Sequence, residues 1–420
     1  MKRQNRRIIL IVLLVLIALS GISIAVIRYA NRHKAGDDVI ELIEKQLDEE
    51  NKFCSVKTRP EEALSRTAFA LEMFKKVCAA SDSNVCFSPL AAEYGLMMIA
   101  NAADGKTLDE IMTAMKRKPE LLEQMNKDAK NYMSFINEEH LDSVSMYNMM
   151  WLNNLKEPSY TSKCKRYFDA EISTLDFNSN DAKKTMEASV RKKTKGLLKP
   201  EIGDISDAKI ILMNLLSFKG KWKYPFYEEF TEKRTFHNAD GTEAKVYMMH
   251  GIYEDGDCSY QHTNKGYSVV SLRFSDRHYE MELYLPDEGQ SVDGCIAKFD
   301  NAPIVRDENT KVYLDLPRFD VSASTDLVSI FRTMGITSAF NEMANFSKLS
   351  TPDQYVGKIL HSARVSIDES GCMAAACNAV FLAELCLMNE VKLRFNRPFF
   401  YIIRETDSRT ALFMGRVNKL

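Results

Sequence analysis

The order of sequence patterns predicts an α+β fold. Helix-like segments crowd the first half of the chain, strand-like runs crowd the second, and no regular βαβα alternation joins them. From about Ala63 to Leu420 the pattern is globular, without a second linker or an internal repeat. Ala68 to Val77 is expected to form an amphipathic helix, with Phe69, Leu71, Met73 and Phe74 on its apolar side. Pro89 to Ala100 predicts a buried helix, because Ser88 is a good N-cap and Pro89 suits a first helical position that needs no N–H. Strands are expected at Lys209 to Phe218, Tyr267 to Phe274, Tyr279 to Leu285 and Val312 to Leu316.

The N-terminal end divides into a basic tail (1–7), an apolar run (8–27) and an acidic juxtamembrane linker (28–62). Ile8 to Ile27 is uncharged, and as a helix its 20 residues would span a bilayer core, about 30 Å. Lys2, Arg3, Arg6 and Arg7 precede it, and Arg28, Arg32 and Lys34 follow, which weakly favours a cytoplasmic N-terminus with the remainder exported. Two readings stand. One is an uncleaved signal anchor holding the chain to a membrane through 8–27. The other is a signal peptide cut before Gly21, after Ala18-Leu19-Ser20. The run continues for seven residues past that point, which favours the anchor. Within 37–50 of the linker, Asp37, Asp38, Glu41, Glu44, Asp48, Glu49 and Glu50 stand against one lysine, Lys45, as in a solvated stalk.

Catalytic chemistry finds little footing. Lys+Arg (56) and Asp+Glu (58) nearly balance, which argues against a nucleic-acid partner. Nine cysteines cannot all pair within one chain. There is no HExxH, GxSxG or CxxC motif, and the seven histidines lack ligand spacing, so no catalytic residue, metal or cofactor is expected. Gly105-Lys106-Thr107 resembles the end of a phosphate loop, but Ala100 stands where that loop needs glycine. Cys372, Cys377 and Cys386 fit small apolar positions better than a nucleophile without a nearby histidine. Asn345-Phe346-Ser347 is a glycosylation sequon.

One segment defies ordinary patterning. Glu369-Ser370-Gly371-Cys372-Met373-Ala374-Ala375-Ala376-Cys377-Asn378 is small and plain, as a hinge would be. Ala379 to Met388 has strand propensity with little alternation. It is either a buried strand or an exposed loop that becomes a strand later.

The chain resembles the serpins from about Ala63 to Leu420. The resemblance rests on Asn84-Val85-Cys86-Phe87-Ser88-Pro89, Asn214 with Phe218 to Phe226, Leu316-Pro317-Arg318-Phe319, Gly335-Ile336 and Phe346-Ser347. His361, Asp368-Glu369-Ser370-Gly371, Phe395-Asn396-Arg397-Pro398-Phe399 and Leu412 to Val417 complete it. It implies three β-sheets, eight or nine helices and an exposed reactive-centre loop, about 369–390. It further implies a monomeric inhibitor that is not an enzyme and carries no cofactor. A protease cuts the loop, the loop inserts into the large sheet, and the covalent acyl complex is trapped. The family's hinge-to-cut spacing places the reactive bond at Leu385-Cys386, whereas counting back from Pro398 gives Leu387-Met388. A leucine before either cut points to chymotrypsin-like or elastase-like serine proteases, with papain-like cysteine proteases as an alternative target class. If Cys372 faces the core on insertion, so do Ala374, Ala376, Asn378, Val380 and Leu382, none charged and none proline. Cys372 and Met373 depart from the family's usual Thr or Ser and Glu, which keeps a non-inhibitory binding or chaperone-like role open. Ser88, Asn214 and His361 align with a sheet-opening network, from which Ala91 removes a usual serine. Trp222, Arg318 and Glu369 align with the top of that sheet. Met186-Glu187 and Ser189 replace a common Asn and Trp.

Overall fold

The structure, a computed structural model, describes residues 60–138, 144–153, 157–196, 202–206, 208–254, 256–276, 278–305, 310–349, 354–371 and 389–420. Among these are eight α-helices and fifteen strands in three sheets. Six of the helices precede Ile210 and twelve of the strands begin at or after it, so the α+β order holds.

The first described helix, Pro60–Ala79, starts three residues before Ala63. Glu62 and Arg66 on it are buried and join Glu93 and Arg117 in a closed ion cluster (Arg66–Glu93 2.9 Å, Arg117–Glu62 2.7 Å, Arg117–Glu93 3.1 Å). Glu93 lies on helix Pro89–Ala102, which is buried along its whole length. Ser88 caps that helix by accepting the Ala91 N–H at 3.1 Å, and Pro89 opens it. No described helix is long and apolar enough to cross a membrane; residues 8–27 lie outside the described residues.

The expected strands appear as Ile210–Phe218, Tyr267–Arg273, Tyr279–Pro286 and Thr310–Pro317. The six-stranded sheet runs Val85–Phe87, Ala411–Val417, Phe399–Glu405, Tyr279–Pro286, Tyr267–Arg273, Cys258–His262, every neighbour antiparallel. The four-stranded sheet runs Asn389–Arg394, Thr310–Pro317, Glu243–Tyr253, Glu232–His237. The five-stranded sheet runs Phe319–Asp326, Val356–Ile367, Ile210–Phe218, Val144–Leu152, Glu171–Thr174.

A near-continuous apolar run makes the central strand Ile210–Phe218 of the five-stranded sheet, as expected for a strand covered on both faces. Met149, Trp151, Met213, Leu215 and Leu360 form one face under helix Ala182–Lys193. Met186 of that helix is fully buried there, where an unbranched, flexible side chain fills the space between helix and sheet.

Candidate functional site: the central seam and its turn

Ile210–Phe218 and Val356–Ile367 are parallel neighbours, paired over eight positions from Val356↔Ile210 to Arg364↔Ser217. Their outer partners, Val144–Leu152 and Phe319–Asp326, are antiparallel to them. A strand folded back from the end of Val356–Ile367 could therefore run antiparallel to both members of the seam.

A polar row crosses this apolar sheet. Asn148, Asn214 and His361 are direct cross-strand partners. Asn214 Nδ2 donates to Asn148 Oδ1 at 2.8 Å, and Asn148 Nδ2 donates to the Phe168 carbonyl at 2.8 Å. Ser88 N–H donates to His361 Nε2 at 2.9 Å, so the imidazole is held neutral with its proton on Nδ1. Burial pushes the His361 pKa down to about 4. Asn214 Oδ1 is buried without a hydrogen-bond partner and lies over Gly95, where an added Cβ would sit 2.3 Å from it. The three residues expected to cluster do so. Asn148 is a fourth member outside that expectation, although a lone asparagine within the apolar run Met146 to Leu152 is a readable signal.

At the end of Val356–Ile367 the chain makes a tight turn. Asp368 N–H donates to the Gly371 carbonyl at 2.9 Å, and the Asp368 carboxylate accepts the N–H groups of Ser370 (2.9 Å) and Gly371 (3.1 Å). Burial raises the Asp368 carboxyl despite those bonds. The turn docks on the segment after Ile210–Phe218: Trp222 N–H donates to the Ser370 carbonyl and Phe226 N–H to the Glu369 carbonyl, both at 2.9 Å. Trp222 also donates from Nε1 to the Asp368 carbonyl (3.0 Å) and stacks on Phe274 at 4.6 Å. Gly371 has φ +134°, and a Cβ there would lie 2.1 Å from the Gly220 carbonyl, so only glycine fits.

Glu369 is buried (4% exposed) and receives Arg318 Nε at 2.8 Å and Thr231 Oγ1 at 2.5 Å. Burial works to raise this carboxyl, but the bonds from Arg318 and Thr231 win and hold it below the usual carboxylate range. Trp222, Arg318 and Glu369 thus come together as expected. Thr231 is an unforeseen third partner that no motif marks. The pair is more than a surface ion pair, because its carboxylate is desolvated.

Beyond Gly371, the residues expected to form the rest of the hinge (Cys372, Met373, Ala374, Ala375, Ala376, Cys377, Asn378) lie outside the described residues, as does either reactive bond (Leu385-Cys386 or Leu387-Met388). Description resumes at Asn389, which opens the edge strand Asn389–Arg394, parallel to Thr310–Pro317 from Thr310↔Asn389 to Asp315↔Arg394. Among the described residues no cluster of His, Cys, Asp or Glu could hold a metal ion, and Cys78, Cys164, Cys258 and Cys295 are free thiols.

A parallel seam, a polar row beneath it and a glycine-locked turn at the end of Val356–Ile367 together define a serpin-type scaffold. The sequence profile of the family described as Serpin (serine protease inhibitor) matches residues 64–420, and the chain belongs to that family, whose members inhibit proteases and generally are not enzymes. A serine protease inhibitor of Rattus norvegicus is 29% identical over 84% of this chain and 88% of its own length. Serpin B5 of Xenopus tropicalis is 27% identical over 84% of this chain and 97% of its own. The fold is that of the native thermophilic serpin tengpin (TM-score 0.75, 24% identity, 87% of this chain, 95% of that one). It is likewise that of human thyroxine-binding globulin (0.77, 24%, 85% and 98%).

Proposed function

We propose that this chain is an irreversible suicide-substrate inhibitor of extracellular serine proteases that accept leucine, chymotrypsin-like or elastase-like. The protease serine attacks the carbonyl carbon of Leu385, or of Leu387 in the alternative register. The amine of the following residue leaves, and the loop stays joined to the protease as an ester. The cleaved loop then enters the seam and carries the acyl-enzyme to the far end of the sheet before water can hydrolyse it. Residues 8–27 tether the domain outside the cytoplasm, or are removed on secretion.

The parallel seam carries this reading. Its one ladder of eight paired positions would be exchanged for two antiparallel ladders. The net gain of about eight hydrogen bonds at ~1 kcal/mol each is on the order of 8 kcal/mol. Asn214, bonded to Asn148, and His361, bonded to Ser88, face each other across the strands that must part, and Glu369 with Arg318 and Trp222 holds the turn about which the loop swings.

Incubation with chymotrypsin or pancreatic elastase should give a complex that survives boiling in detergent. Sequencing the released fragment should start it at Cys386 or Met388. Conversion to cleaved chain alone by every leucine-accepting protease, papain-like enzymes included, would refute inhibition.

Cys372 and Met373 in the hinge support a second reading, a non-inhibitory binding or chaperone-like module. Relatives with binding names exist, such as the corticosteroid-binding globulin of Oryctolagus cuniculus, 28% identical over 83% of this chain and 93% of its own length. That reading requires the loop-cleaved chain to melt no higher than the intact one.

A further inference from the structure

The helix Ala182–Lys193 presents an apolar stripe to the sheet and a basic ridge to solvent. Ala182, Met186 and Val190 are buried at fourfold spacing and pack with Met213, Leu215 and Leu360 of the five-stranded sheet. Around the rest of the helix Lys183, Lys184, Arg191, Lys192 and Lys193 are exposed, and so is Lys195 just beyond its end. Glu187 is the one acid in the helix, although the whole chain has a net charge of −2. Lys184 and Arg191 stand on one ridge opposite the buried stripe, about 10 Å apart at ~1.5 Å per residue.

Fold stability does not account for this charge. Arg191, Lys192 and Lys193 in the last turn complement the negative end of the helix dipole, but Lys183 and Lys184 in the first turn oppose its positive end. Ion pairing takes up only part of the excess. Lys184 reaches Asp181 at 3.4 Å and Lys193 reaches Glu171 at 3.3 Å, both in exposed pairs, while Arg191, Lys192 and Lys195 have no ion-pair partner among the described residues. A polyanion that neutralises such a row releases its own counterions, a gain that grows with each cation engaged.

The surroundings select among polyanions. No large apolar side chain is exposed between 182 and 196, so the helix has nothing to bury in a lipid surface. No aromatic residue lies in that stretch, so nucleic-acid bases find no stacking platform. The charges follow a single rod, as the anionic groups of a linear polymer do.

We propose that the exposed ridge of Ala182–Lys193, extended by Lys195, binds an anionic polysaccharide, a linear chain whose sulfate or phosphate groups are engaged by Lys184, Arg191, Lys192 and Lys195. A chain laid along this ridge lies over both members of the parallel seam, because Met213, Leu215 and Leu360 sit under the same helix. The proposal does not depend on the inhibitory reading, since binding is measured on the intact chain without protease.

Binding of the full chain to dextran sulfate is measured at rising NaCl for wild type, for Lys184→Ala/Arg191→Ala/Lys195→Ala, and for a control, Lys118→Ala/Lys127→Ala/Lys130→Ala, which removes equal charge from exposed residues in and just before helix Leu122–Glu138. The first variant should bind at least about tenfold more weakly at low salt, and its slope of log K against log salt should flatten by about two, while the control stays within about threefold of wild type. In wild type, added dextran sulfate should slow hydrogen exchange at amides 184–196, a footprint that needs no variant. Affinities of the two variants within threefold of each other, or protection confined to other elements, would overturn the site. Tighter binding to anionic phospholipid vesicles or to duplex DNA than to dextran sulfate would overturn the polysaccharide as its partner.

Discussion

The six-stranded and five-stranded sheets are built on opposite plans. In the first, all pairs are antiparallel, and the core is closed by rings: Tyr284 stacks on Phe400 at 4.4 Å, with Phe299 against both. A buried charge pair lies within it: the Arg404 guanidinium reaches Glu282 at 2.5 Å and Asn301 at 2.7 Å, and Tyr284 donates to the same carboxylate, although Arg404 Nε has no partner. In the second, the middle pair is parallel: one member carries Asn214, which bonds Asn148 on its antiparallel side and leaves Oδ1 unpaired, and the other carries the neutral His361. Parallel pairing is slightly weaker per residue, and a buried unpaired acceptor costs about 1–3 kcal/mol. The first plan is that of a frame, and the second holds the join that the proposed mechanism requires to part.

The largest test of that contrast is cleavage of the loop. If the join opens and takes up the loop, a gain on the order of 8 kcal/mol should raise the melting midpoint by roughly 10 °C. A nicked chain that melts at or below the intact midpoint would mean that the seam does not open.

The frame should respond differently. Glu282→Ala leaves Arg404 buried and uncompensated, which should cost about 3–5 kcal/mol. If insertion involves the five-stranded sheet alone, as proposed, intact and nicked chains should lose similar amounts in denaturant titrations. A loss confined to one form would blur the distinction drawn here.

Acid should attack the join first. His361 is neutral in the fold, with its pKa pushed down to about 4, whereas the unfolded chain protonates near 6.5. The unfolded state therefore binds the extra proton between those values. This contribution is complete above pH 6.5 and is lost progressively as pH falls to about 4, on the order of 3 kcal/mol. Hydrogen exchange at Ile210–Phe218 should accelerate over that range before exchange at Phe399–Glu405 does. His361→Gln should flatten the dependence; simultaneous acceleration of both strands would remove His361 as the cause.

Smaller effects belong to the turn. Gly371→Ala forces a side chain against the Gly220 carbonyl at positive φ and should cost about 1–3 kcal/mol, read as a lower urea midpoint in the intact chain. Arg318→Ala should cost about 1–2 kcal/mol, because Arg318 is partly exposed while Glu369 is not, and Thr231 keeps one bond to the carboxylate. An unchanged midpoint in Arg318→Ala would show that Thr231 alone suffices.

Much of this was legible in the chain. The Ser88-Pro89 cap, the apolar run around Asn214 and the glycine after Asp368-Glu369-Ser370 are local signals, because capping, strand burial and a positive-φ turn are properties of a few adjacent residues. Other features were not legible. Asn148 joins Asn214 across 66 positions of sequence and Thr231 joins Glu369 across 138, and nothing local in either segment names its partner. The gathering of Arg234, His250 and Arg394 on Asp315 likewise exists only once four strands are in register.

Local chemistry alone therefore dictated which segments became helix, strand or turn, because those preferences arise within one or two turns of chain. Whether Ile210–Phe218 and Val356–Ile367 lie side by side and parallel, and which charges meet on Asp315, was settled by long-range packing, since pairing energies appear only when distant segments are brought within hydrogen-bond reach.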